Sequence, residues 1–293
     1  MWLLWLGLVP CVLVLAAVAL AAIGSRQWSD TTQALTGGLE AARIDAKARP
    51  PSPARYDERE IETLPAPVQR YFRAVLKDGQ PIIAAATLEL SGTFNMSPTG
   101  EQWKPFTSTQ RIITRRPGFL WDARVAMLPW LPGFPVRVVD SYIAGQGLLR
   151  AAVLGLFTVA DVRGGGEIAR GELMRFFAEA AWYPTALLPS QGVQWDAVND
   201  SSANATLVDG PLTLTLLFSF NNAGLIDSVR AKARGATVVK DIDMLPCEGS
   251  GSDYQARNGM LVPMTGEAAW LPPQGRRVYF VASVTSLTHE FAP

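Results

Sequence analysis

Residues 212–220 read Leu212-Thr213-Leu214-Thr215-Leu216-Leu217-Phe218-Ser219-Phe220. Leu212, Leu214, Leu216, Phe218 and Phe220 recur at every second position, with Thr213, Thr215 and Ser219 on the alternate face. That is the period of a strand with one dry and one wet face. Asp209-Gly210 before it is a tight-turn dipeptide, and Asn221-Asn222-Ala223-Gly224 after it is a second turn. The pattern extends outward from here. Leu225 to Arg234 places Arg230, Lys232 and Arg234 on one face and Val229, Ala231 and Ala233 on the other. Arg277 to Phe291 again has period two, and Leu88 to Phe94 begins the same way, beside Thr87, Glu89 and Ser91. Counting similar runs predicts roughly ten to twelve strands.

Two helical segments interrupt the strands. Leu64, Val68, Phe72, Val75 and Leu76 form an apolar stripe behind a Thr63 cap, with Pro65 and Pro67 in the first turn and Gly79 and Pro81 as the stop. From Glu167 to Ala181, Ala169, Leu173, Phe176, Phe177 and Ala180 share one face, and Glu172, Arg175 and Glu179 gather at its flank. Trp182-Tyr183-Pro184 ends that helix. The expected fold is mainly β, of the α+β kind: a curved antiparallel sheet, half-barrel or barrel-like, closed by one or two amphipathic helices. The dry face of such a sheet can enclose a ligand.

The N-terminus is of another character. Residues 1–23, MWLLWLGLVPCVLVLAAVALAAI, carry no charge. As a helix rising about 1.5 Å per residue they span roughly 34 Å, enough for a hydrocarbon core of about 30 Å. The run is too long for a signal-peptide core and has no basic start. It predicts a transmembrane helix anchoring the chain in the inner or cytoplasmic membrane, with Trp2, Trp5 and Trp28 near the interfaces. Arg26, the only basic residue close to the run, makes the positive-inside rule lean slightly toward a cytoplasmic body. Residues 24–56, with Ala48-Arg49-Pro50-Pro51-Ser52-Pro53, read as an extended stalk, and residues 57–293 as one β-rich domain.

Composition excludes several chemistries. Lys+Arg and Asp+Glu are 26 each, so there is no basic excess for nucleic acid. One His and two Cys cannot build a zinc site of several histidines, a four-cysteine site or a disulfide scaffold. No cofactor is expected: Gly145-Gln146-Gly147 lacks the third glycine of a dinucleotide loop, and Gly164-Gly165-Gly166 has no Lys-Ser beside it. His289, near the C-terminus, is a poor triad member. Carboxylate pairs can do acid–base work without His, and Asp140, Glu179, Asp196 and Asp227 are the candidates. The plain alternative is ion pairing: Arg175 lies four residues before Glu179, and an Asp–Arg pair at Asp140 would tie the sheet. Met127-Leu128-Pro129-Trp130-Leu131-Pro132-Gly133-Phe134-Pro135 is an apolar loop, suited to covering a cavity or touching lipid.

Leu64-Pro65-Ala66-Pro67-Val68-Gln69-Arg70-Tyr71-Phe72, Pro117-Gly118-Phe119-Leu120-Trp121, Asp140-Ser141-Tyr142, and above all Arg175-Phe176-Phe177-Ala178-Glu179-Ala180-Ala181-Trp182-Tyr183-Pro184 with Val193-Gln194-Trp195 resemble a bacterial family of single-pass membrane proteins known only as a domain of unknown function. Leu245-Pro246-Cys247 departs from its commoner Pro-Trp. The resemblance covers about residues 60–290 and implies no activity. In element order the body is also similar to half-barrel carriers of lipoproteins or lipids in the bacterial periplasm, which implies an extracytoplasmic side. Fold likeness does not by itself imply function.

The leading expectation is a membrane-anchored protein that binds a lipid or apolar small molecule without catalysis, in the bilayer through residues 1–23. Trp121, Trp130, Phe134, Trp182 and Trp195 are the expected wall. The alternatives are an enzyme acting on a membrane-derived substrate through Asp140 and Glu179, and a scaffold for membrane assembly.

Overall fold

The computed structural model describes residues 2–47, 53–97, 100–127, 135–238 and 241–292. Among the described residues thirteen strands form one antiparallel sheet. The first six run as a meander: β1 (Ile83–Asn95), β2 (Trp103–Ile113), β3 (Gly118–Ala126), β4 (Pro135–Ile143), β5 (Gln146–Val153) and β6 (Phe157–Gly164). The last seven form a second: β7 (Gln194–Asn199), β8 (Ser202–Asp209), β9 (Leu212–Phe220), β10 (Ile226–Val238), β11 (Asp241–Arg257), β12 (Met260–Trp270) and β13 (Arg277–Phe291). Pairing of β1 with β13 joins them, so β6 and β7 are the two outermost strands.

The chain passes from one outermost strand to the other through helix α3 (Gly166–Ala178) and three short 3-10 turns between Ala180 and Gln191. This crossing lies inside the curve. Helix α3 packs on β3, β4, β5 and β6 from one meander and on β9 and β10 from the other. At Gly147 the approach is so close that a Cβ would lie 2.7 Å from the Ile168 carbonyl. Tyr142 on β4 donates to Asp209 Oδ2 at the end of β8 (2.6 Å), a second tie across the curve. Helix α2 (Ala66–Val75) closes another part of the interior with Val68, Tyr71, Phe72 and Val75. It begins after Pro65, one turn's reach beyond the expected Thr63 cap, and Pro65 makes no side-chain cap.

Strand alternation sorts the two faces. Leu214, Leu216, Phe218 and Phe220 are buried in the inner core with Phe72, Phe177 and Trp195. Each such large apolar side chain contributes roughly 1.5–3 kcal/mol on burial. A smaller cluster lies on the outer face, where Leu120, Val139, Leu148 and Ala152 of β3–β5 meet Trp28, Leu39 and Ala42.

Those last three belong to helix α1 (Trp2–Lys47), which corrects two expectations. Residues 24–47 are not an extended stalk: the helix continues through them and docks along the outer face. A Cβ at Gly24 would lie 2.1 Å from the Leu154 carbonyl oxygen, Trp28 Nε1 donates to Asp122 Oδ1 (2.9 Å), and Arg43 pairs with Glu290 (2.6 Å). Among the described residues no helix is long and apolar enough to cross a membrane. The expected single-pass placement in the inner or cytoplasmic membrane is therefore withdrawn. The apolar run is the start of a 46-residue helix that carries on through Ser25, Arg26, Gln27, Ser29 and Asp30, with its buried side chains turned to the sheet.

Candidate functional site

One inner row crosses five strands. Register places Gln110 (β2), Trp121 (β3), Asp140 (β4), Leu149 (β5) and Val162 (β6) side by side. Arg175 of α3 comes down onto this row. Its Nη1 donates to Asp140 Oδ2 (2.7 Å), its Nε to Glu179 Oε1 (2.8 Å) and its Nη2 to Gln110 Oε1 (3.4 Å). Gln110 Nε2 donates to the other Glu179 oxygen (2.6 Å). The guanidinium carbon lies 4.7 Å from the Trp121 ring centre and 5.1 Å from that of Phe119, within cation–π range.

The electrostatics follow from this packing. Burial pushes the Asp140 carboxyl up, and Arg175 opposes it. Burial also works against the Arg175 charge, but Glu179, Asp140 and Glu172 outweigh it and hold the guanidinium above its ordinary value. Glu172, one turn earlier on α3, is pushed up to about 8 by burial and then by the Asp140 charge. Asp140 and Glu179 thus converge, as the spacing allowed. They do so as the two counter-ions of one arginine.

A second polar point was not expected. The sequence pattern puts Arg234 on the face opposite Ala231. A β-bulge between Ala231 and Arg234 breaks that alternation. Ala231 pairs with Cys247 and Arg234 with Leu245, two residues apart on β11, so both point inward. Another bulge, between Ala268 and Ala269 of β12, leaves Tyr279 as the extra residue on β13. Arg234 Nη1 donates to Tyr279 Oη (3.4 Å), and Tyr279 stacks on Trp270 (5.3 Å). Bulges re-aim side chains in this way. No signal in the sequence marks either one.

An aromatic band connects the two arginines. Phe106 stacks on Phe280 (5.1 Å) and meets Trp121 edge-on (5.9 Å), and Phe94 meets Tyr279 edge-on (5.9 Å). Beyond α3 the inner face stays apolar without being fully covered. Phe94, Val138, Ala151, Val153 and Phe280 point inward and are only half-buried. On β6 the inward Phe157 and Val162, paired with Val153 and Leu149, are 58% and 45% exposed. Among the described residues, the polar atoms near this site without a hydrogen-bond partner include Asp140 Oδ1, Glu172 Oε2, Trp121 Nε1 and Ser108 Oγ.

The other expected residues lie elsewhere. Trp182 and Trp195 are buried, with their indole N–H groups donating to the Pro263 and Leu187 carbonyls. Trp195 packs against Phe72 and Phe218 in the core. Trp130 and Phe134 fall outside the described residues. Asp196 and Asp227 are exposed on the strands. His289 Nε2 donates to the Trp182 carbonyl (2.9 Å), and its Nδ1 accepts from Asn258 (3.1 Å). Burial depresses its pKa. Among the described residues no His, Cys, Asp and Glu group is arranged to hold a metal. The outer face carries a groove of about 350 Å³, but its lining is polar and includes Thr107, Thr109, Asp122, Arg124 and Arg137.

Residues 62–289 match the family of unknown function DUF6920, and the chain belongs to it. No curated protein matches the chain. Among solved structures it is similar to a LolA superfamily protein, NE2245, from Nitrosomonas europaea (9% identity, TM-score 0.40, 78% of this chain and 93% of that one). It is also similar to a beta-barrel-like protein of the domain of unknown function DUF1849 from Brucella abortus (10% identity, TM-score 0.23, 71% and 99%).

Proposed function

We propose that this protein binds a lipid or another apolar ligand in the concave face of the sheet, within residues 57–293, and performs no chemistry on it. The supporting observation is the half-buried apolar surface beyond α3. A sheet that needed only a core would cover Phe94, Val138, Val153 and Phe280, or place polar residues there, as it does on its outer face at the same level. Exposed apolar area of this kind, continuous with a concave interior, is what ligand sites present. Phe94, Val138 and Phe280 form the wall, backed by the buried Phe106 and Trp121, and Phe157 and Val162 form its lip.

The carboxylates fit this reading. Asp140 and Glu179 are both engaged by Arg175. Their role is to hold α3 against the sheet.

The test is extraction of the purified full-length chain with organic solvent, with mass spectrometry of the extract, and titration of the stripped protein with a polarity-sensitive naphthylamine probe. We expect a stoichiometric apolar molecule, or saturable probe uptake that Phe280→Asp abolishes. A folded, monodisperse protein that yields no apolar molecule and takes up no probe rules the proposal out.

A further inference from the structure

Arg175 and Arg234 both face the interior, but their charges are met differently. Arg175 has a carboxylate on Nη1, another on Nε and an amide on Nη2. Three of its five N–H groups are thus bonded, two of them to carboxylates, and the Phe119 and Trp121 rings lie against it. Arg234 makes one hydrogen bond, to the Tyr279 hydroxyl, and among the described residues no carboxylate lies within 4 Å of it. A guanidinium has five N–H donors in a planar fork suited to an oxyanion.

The surroundings are built rather than incidental. Two separate bulges aim Arg234 and Tyr279 to the same side of the sheet. Helix α3 is held against them: a Cβ at Gly171 would lie 3.9 Å from Arg234 Nε. The nearest acid on that helix is Glu172, buried at 4% exposure, with Oε2 unpartnered. Burial, and then the Asp140 charge, push its carboxyl toward the neutral form, which weakens it as a counter-charge. Geometry thus leaves Arg234 with one hydroxyl partner and no carboxylate within ion-pair distance, at one end of the aromatic band. An unpaired interior charge is unfavourable, and a bound anion relieves it.

We infer that the ligand is an anionic amphiphile, with its acidic head group on the Arg234 guanidinium and its apolar chain along the half-buried Phe94 and Phe280, over the buried Phe106 and Trp121. The inference rests on the proposed function and adds the head-group chemistry. The bidentate fork accepts a carboxylate or a phosphate monoester, supplied by a free fatty acid or by an acidic lysophospholipid.

The experiment uses the full-length protein, stripped of apolar material, with displacement of the naphthylamine probe by oleate, oleoyl lysophosphatidate and oleyl alcohol at pH 7. The three share one chain and differ in head group. At least one acid should bind ten times or more tighter than the alcohol, about what one charge-assisted hydrogen bond in a shielded site supplies. Whichever acid binds tighter names the head group. Arg234→Gln should erase the difference while oleyl alcohol binds as before, and Arg234→Lys should keep part of it. Equal affinities of the wild-type protein for all three overturn the inference and leave the proposed function standing. So does a preference that survives in Arg234→Gln. Failure of all three to bind the folded protein removes the proposed function, and this inference with it. The wild-type comparison does not depend on either variant folding.

Discussion

The two faces of the sheet are each covered by a helix, and they solve the remaining surface in opposite ways. On the outer face α1 covers Leu120, Val139, Leu148 and Ala152. Beside it the strands turn polar: Thr107, Arg124 and Arg137 stand in one row of β2, β3 and β4. On the inner face α3 covers the row of Gln110, Trp121 and Asp140. Beside that the strands stay apolar, with Val125, Val136, Val153 and Phe157 continuing the row that begins at Phe106; Phe106, Val125 and Val136 are buried, and the row opens at Val153 and Phe157. The same strands therefore carry water-compatible residues beside the outer helix and water-averse residues beside the inner one. The lesson is that the uncovered inner surface does not reflect a lack of polar residues at that level. It is the feature that separates a ligand-binding face from a solvated one.

The contrast can be tested hardest at Arg175. Arg175→Ala strands Asp140 and Glu179 inside, and we expect a loss of about 3–5 kcal/mol, the usual cost of breaking a buried pair by removing one partner. Urea unfolding of the variant measures it. A loss below about 0.5 kcal/mol, typical of surface substitutions, would show that the inner network is effectively solvated and the two faces alike.

The outer face has its own anchor. Trp28→Ala removes an indole that is 1% exposed and bonded to Asp122. We expect about 3 kcal/mol of destabilisation and faster proteolysis within residues 24–47, with unchanged probe uptake at the inner face. Loss of uptake together with undocking would merge the two faces into one functional unit.

A further effect is in the pH dependence. Glu172 holds its proton in the folded protein to about 8, against an ordinary value of 4.5. Between those values the folded state binds a proton that the unfolded state has released. Stability from this group is therefore full below about pH 4.5, falls as pH rises, and levels off above 8. The slope is at most about 1.4 kcal/mol per pH unit. Glu172→Gln should flatten the profile across that window when chemical denaturation is followed from pH 5 to 8.5. A variant with the wild-type slope would assign the titration elsewhere.

Much of this was legible from residue types and spacing. Period two in Leu212–Phe220 and its neighbours implied a mainly antiparallel sheet, though the count reached thirteen rather than ten to twelve. The gathering of Glu172, Arg175 and Glu179 on one helix flank was visible, as was the prospect of an Asp–Arg tie at Asp140. Gln110 carries no such signal, although it sits on a strand where Phe106, Ser108 and Ile112 share its face. Arg234 and Tyr279 were hidden for a definite reason: alternation assumes a regular strand, and a one-residue bulge reverses every face assignment beyond it. Trp182 and Trp195 carry the same residue type as Trp121. Only the carbonyls of Pro263 and Leu187, brought near by the fold, seat them in the core.

The N-terminal segment shows the same division. Its apolar run and the following Ala-rich, charged stretch both favour helix, and that much is local. Whether residues 24–47 stand away from the body or lie on it depends on Gly24 meeting the β5–β6 turn and Trp28 meeting Asp122, partners about 100 residues away or more in sequence. Strand and helix periods, turn chemistry and charge balance act between near neighbours, so the sequence alone determined a β-rich body with helices of known amphipathic faces. Which inward surface stays uncovered, and which arginine finds its counter-ions, depends on sheet curvature, two bulges and the path of α3. Those arise from contacts between residues far apart in the chain, and only the tertiary structure decided them.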